Sequence, residues 1–451
     1  MPGAIVLHGR HGAGILAHVP ERLSVFDLAE LAADVGPNAR NIGVLLELEG
    51  PALELHAVRA AVGARLGLVP RLAQRMRRVP LGAGRPVWED VVVDLDHHVR
   101  GRSAAAAELL EVTAAILSEQ LDPARPWWTL TVVDVPDERR AALVWSSHHA
   151  MADGPSVLAG VLAVLQGGPA RRPPTPEPLP DRRRLTRGAW AGRARALGGA
   201  AAWPRRLAGF RELGLSTGRA PASPLNRPVT AGFVLRTVDV DLAGVRAGAR
   251  TCGATVNDAV LWAWGRALHR TISAVGSDGG SAGGGAGGPL VASCTVAAPS
   301  AAFQNRVGIM RVPLPAPGSS VAGDLTALAS DTRRRKSRIT GSSWWLTAQL
   351  FRAFAALRLY RRFVERQRSI TTLVTNLRGP ARSPVVLGRR VTRAVPVATL
   401  VGNVTTVVAA LSCADRFVLT VMCAPEATAF VDALAGDLDE GLAAVARLNL
   451  P

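Results

Sequence analysis

ALVWSSHHAMADGPSVLAGVLAVLQ, residues 142–166, is the part of the chain whose reading decides the fold. Ala142–Ser147 is a short, continuous apolar run, the pattern of a strand buried on both faces in the middle of a sheet. Gly154-Pro155 then opens an apolar helix, with proline near its first position, where a backbone N–H is not needed. Strand, tight turn and helix in succession predict an α/β (α+β) protein, and the same alternation runs outward on both sides. Upstream, Ile42–Glu49 reads as a strand, Leu53–Leu66 as a helix, Ala104–Leu121 as a helix and Thr129–Val135 as a strand, with the apolar run Val91–Asp96 between the two helices. Downstream, Phe233–Leu242 alternates as a strand and Val256–Arg270 is helical. Leu290–Ala297 and Val307–Leu314 read as strands, and Asn403–Ala410 with Phe417–Cys423 as a hairpin turning at Ala414-Asp415.

The chain has 451 residues, about three times a typical domain of ~150, which favours two large domains. The composition breaks at 167–228, where RRPPTPEPLP is followed by Arg182, Arg183, Arg184, Arg187, Arg193 and Arg195 among alanines, Trp190 and Trp203. The expected division is therefore 1–166, a connector at 167–228, and 229–451. A Gly-rich insert, Gly276–Gly288, has no Gly-Lys-Ser/Thr after it and reads as a surface loop, not a phosphate cradle.

Composition narrows the function classes. With 48% hydrophobic and 20% charged residues the chain can bury a core and is not disordered. Cys252, Cys294, Cys413 and Cys423 form no C-x-x-C pair, which argues against a zinc knuckle or redox motif and fits a reducing cytosol. The 53 basic and 35 acidic residues give a net charge of +18, nearly all of it arginine, since Lys336 is the sole lysine. Such a field attracts phosphates, CoA and acidic lipid headgroups. Aromatics are only 4%, and no RNP-type motif, zinc finger or P-loop accompanies the charge, so nucleic acid is not the expected partner. The N-terminus lacks a basic region followed by a long apolar one, so no signal peptide is expected. The longest uncharged run, Ala394–Ala414, contains Pro396, Gly402, Asn403 and many β-branched residues, which favours buried strands over a transmembrane helix.

Chemistry concentrates in Ser146–Gly154, where His148 and His149 emerge at the end of an apolar strand and Asp153-Gly154 follow. A strand end presents a side chain to a cleft on a rigid backbone. A neutral imidazole there can take a proton from a hydroxyl near neutral pH. An Asp–Gly pair permits a sharp turn whose carboxylate braces the loop. Spacing alone leaves three readings open: a catalytic pair, a strand–turn–helix junction with incidental histidines, or part of a metal site awaiting further ligands.

HHxxxDG resembles the signature of CoA-dependent acyltransferases, including chloramphenicol acetyltransferase, and of peptide-synthetase condensation domains. Further segments are similar to one branch, the bacterial wax ester synthase/diacylglycerol acyltransferase family. They are LSVFDLAEL (Leu23–Leu31), Pro70–Arg100, LDPARPWW (Leu121–Trp128), TVNDAVL (Thr255–Leu261), QNRVGIMRVPLP (Gln304–Pro315) and TNLRGP (Thr375–Pro380), which span nearly the whole chain in order. Val296–Ser300 and Arg378 depart from the family pattern.

The resemblance implies two chloramphenicol-acetyltransferase-like mixed-sheet domains with an active-site tunnel between them. It implies His149 as general base, His148 as a structural or orienting neighbour, Asp153 as the member of an ion pair that fixes the loop, and Gly154 as room for substrate. Asn257 would position the acceptor or steady the oxyanion, with Asp258 beside it at a helix start. The implied reaction moves a long-chain acyl group from acyl-CoA, a co-substrate, to diacylglycerol or a long-chain alcohol, with no cofactor. Rival readings are a condensation-type transfer from a carrier-protein thioester and a non-catalytic acyl-CoA or lipid-binding paralogue. Arginines beside aromatics in Arg182–Leu215 and Arg333–Arg368 suit an anionic surface. They point to a cytoplasmic protein with peripheral contact at the inner membrane or lipid droplets.

Overall fold

The computed structural model describes residues 20–138, 140–198, 220–278, 289–297, 305, 307–337, 353, 354, 357 and 359–449. The N-terminal 1–19, most of the Gly-rich insert, Ala298–Ser300, and Trp203, Trp344, Trp345 and Phe351 of the Arg/Trp-rich stretches lie outside the described residues.

The strands are β1 (Asn41–Leu48), β2 (Gln74–Arg77), β3 (Val87–Asp90), β4 (Val99–Ser103), β5 (Trp128–Val135), β6 (Arg140–His148) and β7 (Val234–Asp241). They continue with β8 (Leu290–Ala297), β9 (Val307–Leu314), β10 (Thr372–Arg378), β11 (Val385–Val386), β12 (Arg389–Val397), β13 (Thr406–Cys413) and β14 (Arg416–Cys423). The helices are α1 (Val25–Ala33), α2 (Leu55–Arg65), α3 (Leu95–His98), α4 (Leu109–Ser118), α5 (Gly154–Leu165) and α6 (Arg182–Gly198), followed by α7 (Leu242–Thr251), α8 (Val256–Asp278), α9 (Val321–Ser337), α10 (Tyr360–Glu365) and α11 (Val431–Arg447).

Two mixed 6-stranded sheets result, in the orders β11-β12-β1-β6-β5-β4 and β7-β14-β13-β10-β8-β9. The apolar run around Ala142–Ser147 takes a central place, with β6 antiparallel to both β1 and β5. Its burial is nearly unbroken because the sheet is covered on both faces. On one face, Leu143 and Trp145 join Val58 and Val62 of α2 and Val157 and Val161 of α5. On the other, Leu45, Val144 and Val395 meet Leu235, Val407 and Val418 of the second sheet. The second sheet's far face packs on α7, α8 and α11 through Val245, Trp264 and Leu438. Cross-sheet apolar contact on this scale holds the two halves in a fixed relation.

The chain also crosses between sheets. After β10 it leaves the second sheet, adds β11 and β12 to the edge of the first beside β1, and returns as β13. Arg393 of β12 fastens that crossing, donating to Glu47 Oε1 of β1 (3.0 Å) and to Asp239 Oδ1 of β7 (3.0 Å). The long uncharged run Ala394–Ala414 is thus the end of β12, a loop and β13. Among the described residues no helix is long and apolar enough to cross a membrane.

The 403–423 hairpin forms as expected, with a tight turn between Cys413 and Arg416 and Ala414 at φ +56°. Elsewhere the boundaries move. Val91–Asp96 carries no strand: pairing occurs earlier, on β3, and Asp94 accepts from the N–H groups of Asp96 and His97 to start α3. Val92 is left exposed, with no neighbouring strand to cover it.

Candidate active site

The site begins with the last residues of β6. Both neighbouring strands hold it there, His148 N–H bonding to Trp127 O just ahead of β5 (3.0 Å) and His149 N–H to Arg40 O just ahead of β1 (2.8 Å). Met151 N–H then returns to His148 O (2.9 Å), closing the turn. Asp153 caps α5, its Oδ1 accepting from Ser156 N–H at 3.0 Å, and the side chain is buried. A short carboxylate at the N-cap satisfies a helix N–H that would otherwise be orphaned, which is why the turn ends where it does. The carboxylate of Asp153 is thus the N-cap of α5.

The two histidines have different surroundings. His148 is 7% exposed and lies against Trp127, with ring centroids 4.9 Å apart. Its Nδ1 accepts from Ala150 N–H (3.0 Å), so the neutral ring carries its proton on Nε2, which faces Asp34 Oδ2 at 3.4 Å. That approach is not a hydrogen bond, and Nε2 makes none among the described residues. His149 is half-buried, and among the described residues its buried Nδ1 has no hydrogen-bond partner. Its backbone is gripped on both sides, because its carbonyl accepts from Asn305 Nδ2 at 2.9 Å.

Asn305 comes from the second half of the chain and is 3% exposed. The same Nδ2 donates to Asp27 Oδ1 (3.1 Å). Asp27 is the third residue of α1 and closes a capping box with Ser24 (2.8 and 3.0 Å). Burial pushes its carboxyl above the usual range, opposed by bonds from Ser24 and Asn305 and by the charge of Arg71. Glu30, one turn further on, is hydrogen-bonded to the Arg40 guanidinium. Burial would raise Glu30, but the charges of His149 and Arg40 dominate and bring it down to about 2.

Gly154 marks where the halves meet. A Cβ there would lie 3.2 Å from both methyl carbons of Leu377 on β10, so any larger side chain pushes into the second sheet. Asn257 and Asp258 begin α8 in the second half. Asn257 is half-buried. Asp258 Oδ2 accepts from Thr255 N (2.8 Å) and Thr255 Oγ1 (2.7 Å), and its Oδ1 accepts from Thr332 Oγ1 (2.7 Å). Its carboxylate thus builds the helix start and ties α8 to α9, rather than reaching the histidine loop.

Sequence reasoning missed Glu30, Asp34 and Arg40, and did not single out Asn305 within its block. Their signal was present: Asp27, Glu30 and Asp34 follow the i, i+3, i+7 spacing of one helix face, which in a buried helix must meet polar partners. A cleft with about 360 Å³ of open space lies beyond Arg40, between the end of α1, α10 and Leu400–Gly402; His149 is not among its walls. Among the described residues no group of three or more His, Cys, Asp or Glu is arranged to hold a metal.

Comparison with known proteins identifies the family. The family model for the wax ester synthase/diacylglycerol acyltransferase catalytic domain matches residues 23–260, and that for the WS/DGAT C-terminal domain matches 303–446. The chain is 27% identical over 443 residues to the probable diacylglycerol O-acyltransferase tgs1 of Mycobacterium tuberculosis H37Rv, covering 90% of each protein. The wax ester synthase/diacylglycerol acyltransferase from Marinobacter aquaeolei VT8 shares the fold with a TM-score of 0.66 at 20% identity, over 95% of this chain and 99% of that one. The first condensation domain of the calcium-dependent antibiotic synthetase is similar in fold, with a TM-score of 0.63 at 17% identity, over 96% of this chain and 97% of that one.

Proposed function

The chain belongs to the wax ester synthase/diacylglycerol acyltransferase family, and we propose that it transfers a long-chain acyl group from acyl-CoA to the hydroxyl of diacylglycerol or a long-chain alcohol, with His149 as general base. The observation that carries the assignment of the base is the contrast within the pair. His148 is buried, with Nδ1 bonded to Ala150 N–H and Nε2 only facing Asp34 Oδ2 at 3.4 Å, whereas His149 is half-buried on a backbone fixed at both its N–H and its carbonyl, and its Nδ1 makes no bond among the described residues.

In the proposed reaction His149 takes the proton from the acceptor hydroxyl as its oxygen attacks the thioester carbonyl. The tetrahedral intermediate collapses with cleavage of the C–S bond, and the imidazolium returns its proton to the departing CoA sulfur. No acyl-enzyme and no cofactor is needed. His148 and Asp153 keep the loop in shape, Gly154 lets that loop close on Leu377 of the second half, and the reacting groups meet in a tunnel between the halves. Asn257 is the candidate to position the acceptor or steady the oxyanion. A carrier-protein thioester is the alternative donor. That reading draws on the fold likeness to condensation domains, while the family match supports the CoA donor.

Peripheral contact with an anionic membrane or lipid droplet is the finer part of the proposal. On α6, Leu185 and Ala189 are buried, and Leu185 packs with Ala83 and Val87, while Arg182, Arg183, Arg184 and Arg187 are exposed. Trp190 is 62% exposed beneath the Arg193 guanidinium (4.9 Å). In the other stretch Tyr360 is buried and Phe363 is partly exposed.

The experiment is release of free CoA thiol from palmitoyl-CoA, with dioleoylglycerol and hexadecanol offered separately. Acceptor-dependent release is expected and ranks the two acceptors. Absence of release with either, in protein that still binds acyl-CoA, would turn the proposal toward a carrier-thioester donor or a binding role. Failure to co-sediment with anionic liposomes at low salt would remove the membrane part.

A further inference from the structure

Acidic residues of α1 converge on the histidine loop. Asp27 reaches the His149 carbonyl through Asn305, and Asp34, just past the end of the helix, faces His148 Nε2. Glu30 bonds to the guanidinium of Arg40, the residue whose backbone carbonyl holds the His149 N–H. Arg40 is 8% exposed, and the Glu30 side chain 27%. An arginine so buried is a strong charge on the residue that holds the proposed base's N–H, and the carboxylate that lies directly against it also feels the charge of His149.

Resting on the reading of His149 as general base, we propose that Glu30 and Arg40 are positioning residues: a matched pair of opposite charges, fixed between α1 and β1, that sets how readily His149 accepts a proton. Either charge alone would spoil the base. An uncompensated Arg40 would repel the proton that His149 must take from the acceptor. An uncompensated Glu30 would hold that proton on the imidazole and leave the base blocked. Paired, their fields largely cancel.

The electrostatics of the partners agree. Burial works against both charges, yet Arg40 is held above its ordinary range by Glu30 first, then Tyr360 and Asp34, while the His149 and Arg40 charges bring Glu30 to about 2. The charged and titratable groups around the pair are Asp27 and Asp34 from the α1 segment, with Arg71 behind Asp27. His148 and His149 contribute from the histidine loop, and Tyr360 from α10.

The test is the pH profile of kcat/KM for Glu30→Gln, Arg40→Met and the double variant, followed by acceptor-dependent CoA release, with folding checked by thermal melting. Loss of the carboxylate leaves Arg40 facing the base, so the acid limb of Glu30→Gln moves down by about one pH unit. Loss of the guanidinium leaves Glu30, so the limb of Arg40→Met moves up by about one unit. The double variant returns the limb to its wild-type position. A merely structural pair would lower activity at all pH values without moving the limb. Either single variant alone decides the sign, and the double, with no unpaired buried charge, keeps the test open where a single variant does not fold. Shifts of equal sign, an unmoved limb in a folded single variant, or a displaced limb in the double would overturn the proposal. If His149→Ala is inactive while the limbs stay put, the pair is wrong and the base stands; if folded His149→Ala is active, the base itself is wrong.

Discussion

Helix α1 turns Asp27 and Glu30 inward onto Asn305 and Arg40, whereas α6 turns Arg182, Arg183, Arg184 and Arg187 outward and keeps Leu185 and Ala189 as its buried contacts. Both segments read as amphipathic, yet burial gives their charges opposite consequences. In α1 each carboxylate has a named partner, because a charge taken from water must be paired to be tolerated. In α6 the charges stay solvated, individually contribute little to stability, and remain free to meet an anionic surface. The difference suggests how to separate them. Variants of the α1 network should alter turnover and acid stability, and variants of α6 should alter attachment and salt response.

After loss of His149 itself, the largest effect is expected from Asn305→Ala. It leaves the His149 carbonyl and Asp27 without their shared donor, and a hydrogen bond to a charged group is worth roughly 1.5–3 kcal/mol. Expressed in kcat this is a fall of about 10–100-fold, with KM changed much less. Steady-state kinetics at saturating acceptor measure it, and an unchanged kcat would show that the α1 network does not reach the chemistry.

Next comes Gly154→Ala. Its Cβ meets Leu377 at 3.2 Å, and overpacking of this kind costs about 1–3 kcal/mol where the neighbour cannot yield. Activity should fall and be partly restored by adding Leu377→Ala. Absence of any coupling between the two substitutions would place the seam elsewhere.

Acid titration gives a third contrast. Glu30 is held near 2 against 4.5 for a free carboxyl, so its contribution is fully present above pH 4.5 and lost as pH falls toward 2. That contribution is at most about 3 kcal/mol, reduced by the side chain's partial exposure. Asp27 works the other way, since its raised pKa makes acid favourable to the fold. Unfolding midpoints of wild type and the Glu30→Gln/Arg40→Met variant, compared between pH 5 and 2.5, should converge as pH falls. Parallel curves would contradict the assignment.

The smallest effect on the fold is expected from Trp190→Ala with Arg183→Ala and Arg184→Ala, surface changes that shift stability by no more than about 0.5 kcal/mol. Activity on detergent-dispersed substrate should stay the same while co-sedimentation with anionic liposomes drops and becomes less salt-sensitive. Equal co-sedimentation by the variant would remove α6 from the membrane proposal.

Much of the fold could be read from the sequence where periodicity was strong. β6 showed as an unbroken apolar run and lies at the centre of its sheet, and β8, β9 and the 403–423 hairpin fall at or near their expected places. β12 did not show as a strand of the first sheet. Its opening Arg389-Arg390 resembles surface, and nothing local reveals that it crosses to pair with β1. At the site, His148, His149, Asp153 and Gly154 stood out because they are adjacent in the chain. Glu30, Asp34 and Arg40 are joined to them only by folding, and Asn305 lies 156 residues from the carbonyl it binds. Such separation is invisible to spacing rules. Asp258 was visible as a helix-start residue through Thr255, but its bond to Thr332 was not.

The most direct test of the central claim is acceptor-dependent release of CoA thiol from palmitoyl-CoA by wild type and by folded His149→Ala, measured side by side with the better acceptor. Loss of a general base lowers the rate by about 10²–10⁴-fold, so His149→Ala should retain no more than about one per cent of wild-type activity. A folded His149→Ala protein that keeps more than about a third of the activity, when even the weakest general base contributes roughly 100-fold, would contradict the mechanism.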